Sequence, residues 1–476
     1  MARLWVNSGP CASLEVGRLG WTVVLGSTCQ RNACRDTFCA VENTFAIPTL
    51  GPCEVESPLA AFHDHEGKTI DFVEDSNCIL VDDTVSAVRA HAARGGECLA
   101  LELAGPRERI FFEPARVRVG IVTCGGLCPG LNNVIRSLVI AAEWHYRVEK
   151  VFGFRYGYAG LAKPDGEVLL DAESVSEIHK LGGTVLGSSR GPQDVEQMVD
   201  RLEKLGISIL FVIGGDGSMR GALAMAEVVR RRRLKLAIVG IPKTIDNDLQ
   251  FMDQSFGYQT AFGEAVRAID CAHREAKGAP HGIGLVKLMG RHSGFIACAA
   301  ALASGDANFV LIPEVPFRLE GPRGLLAVLQ RRLERRQHAV IVVAEGAGQD
   351  LLAQSGEERD ASGNVKLQDI GLFLADRIKS HFAQVAFEAN LKYIDPSYII
   401  RSVPANPADA VLCTSLGLNA VHGAMCGKTE MMLGMWHRRL VHVPIHQAIA
   451  ARNRVDPTGT LWLSVLGATG QPLAFV

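Results

Sequence analysis

Several widespread sequence patterns are missing from this chain of 476 residues. No apolar run approaches the roughly 18 residues that a membrane-spanning helix needs, which argues against a membrane protein. The cysteines form no C-x₂-C pair and no His-Cys cluster with zinc spacing, which argues against a structural zinc site. Neither the G-x-G-x-x-G dinucleotide fingerprint nor the G-x-x-x-x-G-K-[ST] P-loop occurs, so neither standard nucleotide motif applies.

Strong charge of either sign is also missing. The formal net charge is −2, and charged residues make up 21% of the chain against 48% for hydrophobic ones. This balance predicts a well-packed globular protein without a general attraction for nucleic acid. The one basic block, residues 230–233, follows a predicted helix, where it is expected to complement the helix dipole and stay solvated.

Two buried strand patterns end in loops that carry carboxylates. Residues 209–213 lead into the sequence GGDGS at 214–218, and residues 236–241 lead into PKTIDND at 242–248. Glycines allow a phosphate to approach the backbone closely, whereas an aspartate beside phosphate is useful for holding Mg²⁺ or for accepting a proton. Asp216 suits the metal and Asp246 the proton. A tight strand-to-helix turn is the purely structural alternative for the first loop.

A third strand pattern precedes a glycine-rich loop. Residues 117–123 lead into CGGLCPGLNN at 124–133, and a helix is predicted to begin near Asn132. The spacing of these glycines fits neither standard nucleotide motif, which predicts a phosphate-binding loop of another design.

Four segments in this order resemble the phosphofructokinase family. They are the GG-x-x-PG-x-N loop, the GGDG turn, the P-x-TIDND segment and an MGR-x-x-G segment at 289–294, and the resemblance covers about two thirds of the chain, from Arg116 to Gly434. The wording CGGLCPGLN, GFRYGYAGL and KYIDPSYIIR is similar to the plant and protist type. The resemblance implies an ATP-dependent 6-phosphofructokinase that makes fructose 1,6-bisphosphate and ADP in glycolysis.

The family pattern also implies the catalytic residues. Asp246 would accept the proton of the C1 hydroxyl of fructose 6-phosphate, and Asp216 would bind Mg²⁺ between the donor phosphates. Thr244 would hydrogen-bond the sugar or the moving phosphoryl group, with Arg291 as a further catalytic residue. Asp248 is expected to orient the turn or the waters of the metal.

Two sets of binding residues follow from the same resemblance. The nucleotide side would comprise Gly126, Arg190, Gly191, Gly215, Asp216, Gly217 and Ser218. The sugar-phosphate side would comprise Thr244, Ile245, Asp246, Met289, Gly290, Arg291, Glu345, Lys392, Tyr398 and Arg401. Tyr158 would either flank the nucleotide base or pack in the core.

One departure concerns a residue that bacterial relatives share between subunits. Seven residues before Met289 those relatives have an arginine, whereas this chain has Gly282. Lys392 and Arg401 stand where the relatives place two arginines on the 6-phosphate, and Tyr398 replaces a histidine. Sharing of the sugar site between subunits is therefore open.

The phosphoryl donor depends on two positions that favour different answers. Relatives that use pyrophosphate carry a second aspartate where this chain has Gly217, and glycine leaves room for the α-phosphate of ATP. Lys243, in contrast, is usual in pyrophosphate users. Because the plant and protist ATP-using branch combines GGDG with PKTIDND, ATP is predicted, with a pyrophosphate-dependent phosphotransferase as the alternative.

The predicted fold class is α/β. Strands are predicted at 117–123, 209–213, 236–241, 283–288, 308–312 and 338–344, and helices near 194–205, 260–275 and 322–336. This alternation predicts parallel sheets covered by helices. By resemblance, two Rossmann-like lobes enclose the active site in a crevice. The nucleotide lobe would span 116–257 and be completed by 402–476, and the sugar-phosphate lobe would span 258–401. A loop is expected at 349–364.

The first 115 residues carry fewer signals. Residues 1–50 are predicted to be a tail and 51–115 an N-terminal extension with short strand pieces such as 69–73. A cytoplasmic protein is expected, or a plastid one if residues 1 to about 45 are a transit peptide. Most of the 13 cysteines are expected to be buried thiols, and a Cys124–Cys128 disulfide is the alternative at the phosphate loop.

The remaining expectations concern partners and competing functions. A homo-oligomer, dimer or tetramer, is expected, with no nucleic-acid or membrane partner. A non-catalytic regulatory subunit would have lost Asp216 or Asp246, and this chain has both. A lipid or NAD kinase could share the GGDG turn but would lack the MGR segment.

Overall fold

The structure is a computed structural model that describes residues 45–62, 67–68, 70–94, 98–352, 359 and 365–476. Residues 1–44, to which the transit-peptide expectation applies, lie outside the described residues. So do Thr69 and most of the predicted loop at 349–364, whose beginning, Gln349–Leu351, is a short 3₁₀ helix. Residues 70–73 form no strand, so that prediction was wrong for the described part of 69–73.

The regular elements alternate along the chain as the sequence predicts. The strands are β1 Val55–Glu56, β2 Cys78–Leu80, β3 Ala100–Leu103, β4 Arg109–Ile110, β5 Arg118–Thr123, β6 Lys150–Phe154, β7 Glu167–Leu170, β8 Ile209–Gly214, β9 Ala237–Pro242, β10 Gly282–Leu288, β11 Phe309–Leu311, β12 His338–Ala344, β13 Asn390–Ile394, β14 Met431–Trp436 and β15 Arg439–Pro444. The helices are α1 Val85–Arg94, α2 Leu131–Ile140, α3 Gly157–Leu161, α4 Val195–Leu205, α5 Asp216–Arg231, α6 Tyr258–Lys277, α7 Phe295–Ser304, α8 Leu325–Arg336, α9 Ile370–Gln384, α10 Ser397–Ser402, α11 Pro407–Met425, α12 Ile445–Ala448 and α13 Thr460–Thr469.

The larger sheet has the strand order β2-β3-β15-β14-β9-β8-β5-β6-β7 within the described residues. Its centre, from β14 through β9, β8 and β5 to β6, is parallel, and antiparallel strands complete both edges. All residues of β8 and β9 are buried. Uninterrupted apolar runs such as these are typical of parallel strands that helices cover on both faces.

The smaller sheet has the order β11-β12-β10-β13 and is parallel throughout. Helix α6 follows β9 of the large sheet in the chain and packs against β10, β12 and β13 of the small one. Helix α11 returns to the large sheet, where it packs against α2 and β9. The mixed α/β fold class predicted from the sequence is confirmed.

Helix limits follow ordinary capping chemistry. The carboxylate of Asp194 accepts a hydrogen bond from the Gln197 N–H (3.2 Å), and α4 ends at Gly206 with φ of +66°. Asp369 caps α9 in the same way through the Leu372 N–H (3.0 Å). These side chains satisfy N–H groups that the first helical turn leaves without a backbone partner.

The division of the chain into two lobes stays a prediction, and the end of the chain differs from it. The side chain of Gln471 accepts from the Val310 N–H (2.7 Å), and the Arg318 N–H donates to the Phe475 carbonyl (2.9 Å). Phe475 is buried with apolar residues of the small sheet. The last residues therefore pack on the small sheet rather than completing the large one.

Candidate active site

The loops after β5, β8 and β9 lie side by side because these three strands are neighbours in register. Thr123 pairs with Ile213, and Gly214 pairs with Pro242. The Cys124 N–H donates to the Ile213 carbonyl (2.9 Å), which continues the pairing into the loops. The carboxyl ends of parallel strands are where α/β enzymes place their ligands.

The glycine-rich loop after β5 is bracketed by two cations. A Cβ atom at Gly125 would lie 3.3 Å from the Lys243 Nζ, and one at Gly126 would lie 3.2 Å from the Arg190 Nη2. The Ser188 hydroxyl donates to the Gly125 carbonyl (2.6 Å), which joins this loop to the segment that carries Arg190. Both glycines leave the space between backbone and cations open, which suits phosphate oxygens.

Burial sets the ionisation of the groups around this loop. It lowers the pKa of Lys243 and raises the pKa of Cys124 to about 12; it also raises the pKa of Cys128. Both thiols are buried and protonated at neutral pH. They fill space beside the loop, as the sequence analysis expected for most cysteines, and the chain's described cysteines are free thiols.

The GGDG turn forms the start of α5. Gly215 precedes the helix and Asp216 is its first residue. A Cβ atom at Gly217 would meet nothing within 4 Å. Ser218 is buried, its side chain lies against Gly214, and its N–H donates to the Gly215 carbonyl (2.9 Å), so its groups already have partners in the turn. The N–H groups of this first turn offer positive charge to an anion.

Asp216 and Asp248 are held by a shared arginine. The Arg452 Nη1 lies 2.8 Å from the Asp248 Oδ2, and its Nη2 lies 3.3 Å from the Asp216 Oδ2. The hydroxyl of Thr244 donates to the Asp248 Oδ1 (2.5 Å), and Arg220 pairs with the other oxygen of Asp216 (3.0 Å). The predicted metal ligand is thus connected with the TIDND segment.

Asp246 lies where the two halves of the site meet. Its Oδ2 is 3.5 Å from the Arg291 N, and the Ser293 hydroxyl donates to its carbonyl oxygen (2.9 Å). Its Oδ1 is buried and has no hydrogen-bond partner in the described part of the chain. Burial, together with the negative charges of Asp248 and Glu345, raises the pKa of Asp246 to about 8. Such a carboxylate is a much stronger base than an exposed one.

The MGR segment and Glu345 follow two paired strands. Leu288 of β10 and Ala344 of β12 are register partners, and the Glu345 N–H donates to the Leu288 carbonyl (2.9 Å). The Gly346 N–H donates to the Gly290 carbonyl (3.1 Å). Gly290 has φ of +128°, a conformation that favours glycine. The pairing of the strands therefore brings Glu345 beside residues 289–291.

Glu345 adds a second, partly buried carboxyl group to the site. Burial raises the pKa of Glu345, while the positive charges of Arg291, Lys287 and Arg401 oppose this shift. Met289 is partly buried and packs on the core. The acidic group is therefore surrounded by cations that could bind a sugar phosphate.

Arg401 and Tyr398 lie together on α10. The Arg401 guanidinium is 4.5 Å from the centre of the Tyr398 ring, which is 74% exposed. The arginine acts on the pKa of Glu345, so the structure brings it toward the site. Both side chains remain available to a ligand.

Lys392 is not brought to the strand ends where the other predicted residues meet. It is exposed in the middle of β13, and its register partner on β10 is Gly284. Gly284 precedes Leu288 by four residues, which corresponds to roughly 13 Å along the strand. Strand register thus separates Lys392 from the residues that surround Asp246 in the same chain.

Two further predicted residues, Ile245 and Tyr158, have side chains directed to packing. Ile245 is buried within the core, so its backbone alone is available to a substrate. Tyr158 is buried, its hydroxyl donates to the Ser218 carbonyl (2.7 Å), and its ring lies against Gly221. Of the two alternatives for Tyr158, packing in the core is the one that the structure has. Gly191 has φ of +95° and turns the chain after Arg190.

Sequence reasoning missed the loop that carries Arg452. This loop lies beyond the last family motif, and no glycine or carboxylate pattern marks it. It also contacts Glu314, whose Oε1 accepts from the N–H groups of Val455 (2.9 Å) and Gly294 (3.0 Å). An arginine-rich stretch, RNR at 452–454, was the one available signal.

The donor set fits Mg²⁺ bound together with phosphates. Among the described residues no group of three or more His, Cys, Asp or Glu side chains is arranged to hold a metal. Mg²⁺ in phosphoryl-transfer sites usually takes one or two carboxylates, with water and phosphate oxygens as its other ligands. Asp216 at the start of α5, with Asp248 nearby, provides carboxylates of this kind. Within the described residues no helix is long and apolar enough to cross a membrane.

A glycine loop with two cations, a helix N-terminus, and a basic carboxylate beside the MGR segment define an α/β enzyme of the phosphoryl-transfer class. The Phosphofructokinase family model matches residues 118–424, and the chain belongs to this family.

Individual relatives agree with this assignment. The chain is 51% identical to an ATP-dependent 6-phosphofructokinase of Amycolatopsis methanolica, over 90% of this chain and 95% of the relative. It is 43% identical to the chloroplastic ATP-dependent 6-phosphofructokinase 5 of Arabidopsis thaliana, over 91% of this chain and 81% of the relative. A crystal structure of a pyrophosphate-dependent phosphofructokinase from Marinobacter aquaeolei has a TM-score of 0.61 at 19% identity. That match covers 75% of this chain and 93% of the other, and it concerns the fold alone.

Proposed function

We propose that this protein is an ATP-dependent 6-phosphofructokinase, which transfers the γ-phosphoryl group of ATP to the C1 hydroxyl of fructose 6-phosphate. The observation that supports this most directly is the position of Asp246. Its Oδ1 is buried without a partner in the described chain, and it lies between the phosphate loops and the MGR segment. The relatives named above carry the same activity in their names.

Asp246 acts as the general base in this proposal. The Arg291 N–H orients one carboxylate oxygen and leaves the other to accept the proton of the C1 hydroxyl. A pKa of about 8 makes the group a good proton acceptor that is still partly ionised near neutral pH. The rate contribution of such a base is typically 10²–10⁴-fold.

The donor phosphates would be bound by the loop after β5 and by the start of α5. Arg190 and Lys243 bracket the glycines of the loop, and Gly126 and Gly217 allow close approach. Gly191 would turn the chain after Arg190, and Gly215 would lead into the first turn of α5. Mg²⁺, held by Asp216, would neutralise charge on these phosphates. The residues of the chain would then position the two reactants, which is a main requirement of phosphoryl transfer.

The sugar phosphate would be bound by the second lobe. Arg291 and Arg401 flank Glu345, a suitable partner for sugar hydroxyls, and Thr244 and the backbone at Ile245, Met289 and Gly290 complete this side. Lys392 requires another arrangement, because it lies in the middle of β13. Lys392 would instead bind the phosphate in the site of a neighbouring subunit. The protein would then be a homo-oligomer, either a dimer or a tetramer.

The cytoplasm is the proposed compartment, and a plastid is the alternative.

The test compares initial rates with ATP and with pyrophosphate, using fructose 6-phosphate and Mg²⁺, for wild type and Asp246→Asn. We expect activity with ATP, and a fall in kcat of about 10³-fold in the variant because the base is lost. Asp376→Asn, an exposed aspartate on α9, is the matched control and should retain wild-type rates. Activity with neither donor would contradict the proposal and favour the regulatory-subunit alternative.

A pyrophosphate-dependent phosphotransferase is the second candidate, and one observation favours it. Lys243 lies beside Gly125, where it could bind pyrophosphate. Against it, the open space at Gly217 leaves room for the α-phosphate of ATP. Gly217→Asp would fill this space with a negative charge. If ATP is the donor, this variant should lose activity with ATP; activity of wild type with pyrophosphate alone would overturn the choice of donor.

A further inference from the structure

The loop at residues 450–455 crosses from one side of the site to the other. Arg452 pairs with Leu249 in an isolated antiparallel bridge, and the Asn453 N–H donates to the Asp248 carbonyl (2.9 Å). On the other side, the Val455 N–H donates to Glu314 (2.9 Å). Backbone contacts therefore hold the Arg452 side chain in a defined position over the TIDND segment.

The guanidinium of Arg452 is the cation that joins Asp216 with Asp248. It contacts one oxygen of each carboxylate, at 3.3 and 2.8 Å, and its side chain is 32% exposed. Asp246 lies two residues before Asp248 and already has a raised pKa, of which the charge of Asp248 is one cause. One guanidinium thus contacts two carboxylates, and the charge of one of these, Asp248, acts on a third, Asp246.

We propose that Arg452 is a positioning residue that holds Asp216 and Asp248 together in the ligand-free site and is exchanged for Mg²⁺ when the nucleotide binds. This inference rests on the proposed function, because it takes Asp216 as a ligand of Mg²⁺. Both cations need the same carboxylate oxygens, and a planar guanidinium suits two carboxylates as well as a metal ion does. Arg452 therefore competes with Mg²⁺ and keeps the carboxylates in place until the metal arrives.

The experiment is a titration of MgCl₂ on the full chain without substrate, at constant ionic strength, followed by the unfolding temperature. In wild type the temperature should rise with Mg²⁺. In Arg452→Gln we expect a lower unfolding temperature without Mg²⁺. The Mg²⁺ concentration that produces a fixed rise in this temperature should be lower by roughly 3- to 10-fold, since the competing cation is gone. Arg452→Lys keeps one charge but not the two-sided contact, and it should lie between the two.

Arg220→Gln is the matched control. Arg220 pairs with the same carboxylate, at 3.0 Å from the Asp216 Oδ1, but it is 63% exposed and, in the described part of the chain, forms no ion pair with Asp248. An exposed pair within one helix contributes little, so its loss should change the Mg²⁺ concentration for the same fixed rise by less than about twofold. A large change here would mean that any charge near Asp216 has the effect, and it would overturn the assignment to Arg452.

Two results separate exchange from a purely structural role. If Arg452→Gln lowers the unfolding temperature equally at every Mg²⁺ concentration, Arg452 only braces the loop and the proposal is wrong. If the same rise in unfolding temperature needs more Mg²⁺ in the variant, Arg452 assists the metal and exchange is also wrong. Wild type that phosphorylates fructose 6-phosphate but shows no Mg²⁺-dependent stabilisation would overturn the exchange alone, whereas wild type without this activity would overturn the proposed function.

Discussion

At Asp246 a negative charge is placed where its neighbours and its burial oppose it. The negative charges of Asp248 and Glu345 raise its pKa. The hydrogen bond that it accepts from the Arg291 N–H is long, at 3.5 Å. Ionisation of this carboxyl group therefore lowers the stability of the folded protein. Active sites commonly contain groups whose ionisation is unfavourable, because this is what makes such a carboxylate basic.

This cost predicts a pH-dependent difference in stability for Asp246→Asn. The pKa of Asp246 rises from 3.8 to about 8 on folding, so its contribution to stability is fully present below pH 3.8 and is lost as the pH rises to about 8. The variant avoids this loss. Urea unfolding without ligands should show it more stable than wild type by on the order of 1–5 kcal/mol at pH 9, and by much less at pH 5.

Asp248→Asn is the control for this prediction. Asp248 belongs to the same segment but is paired with Arg452 and Thr244, so its replacement should lower stability. A stabilising effect of Asp246→Asn that is the same at pH 5 and pH 9 would contradict the ionisation argument and point to packing instead.

At the scale of elements, paired strands decide which loops meet. β10 and β12 end in register, and the two turns that follow them touch through their backbones. Gly346 is the contact point: a Cβ atom there would lie 1.9 Å from the Arg291 carbonyl oxygen. Backbone atoms cannot move aside as a flexible side chain can. Glycine at position 346 therefore allows the two turns to approach this closely.

Gly346→Ala should therefore disturb the site although residue 346 has no proposed chemical role. The clash displaces the MGR turn, and a shift of about 1 Å would lower kcat/KM by roughly 10²-fold. The cost in stability should be about 1–3 kcal/mol. Steady-state kinetics and thermal unfolding measure both effects.

Gly263→Ala provides the comparison for this variant. Gly263 lies within α6, and a Cβ atom there would meet nothing within 4 Å. Alanine should stabilise the helix by roughly 0.5–1 kcal/mol and leave the kinetics unchanged. Normal kinetics of Gly346→Ala would show that the turns can separate without loss of function.

The basic block at the end of α5 is another element whose role depends on its neighbours. Arg230 pairs with Glu430 (2.9 Å), and Arg231 and Arg232 both pair with Glu196 at the start of α4. The expected position at a helix end was right. The expectation that the block is simply solvated was incomplete, because α4 and α5 pack together and bring acidic groups to it.

At the scale of the whole molecule, residues 471–475 pack on the small sheet, far along the chain from its strands. Phe475 is 3% exposed and packs against Phe309, and Gln471 makes two hydrogen bonds to the backbone of Val310. These contacts cover the β11 edge of the small sheet. A paired or covered edge resists pairing with other chains.

Removal of residues 471–476 should therefore weaken the small sheet. Loss of the buried Phe475 and of the bonds to Val310 should cost about 3 kcal/mol. Thermal unfolding of the truncated chain measures this, and deletion of Val476 alone, which is 48% exposed, is the control. Equal stability of the two shortened chains would contradict the role of Phe475.

The sequence by itself determined the strands β5, β8 and β9, their loops, and the family. Apolar runs that end in glycine and aspartate are local signals, and four ordered motifs carry more information than any one of them. The positions of Asp216, Asp246 and the glycines then follow from parallel strands ending at one edge. Their predicted roles stay predictions.

Only the tertiary structure decided which distant groups act on those loops. Arg452 and Glu314 reach the site through folding of segments that have no motif, and the register of β13 holds Lys392 away from it. The burial of Ile245 and Tyr158 likewise depends on packing partners. Local sequence encodes strands and turns, but a contact between residues about 200 positions apart, such as Asp248 and Arg452, depends on the packing of the entire fold.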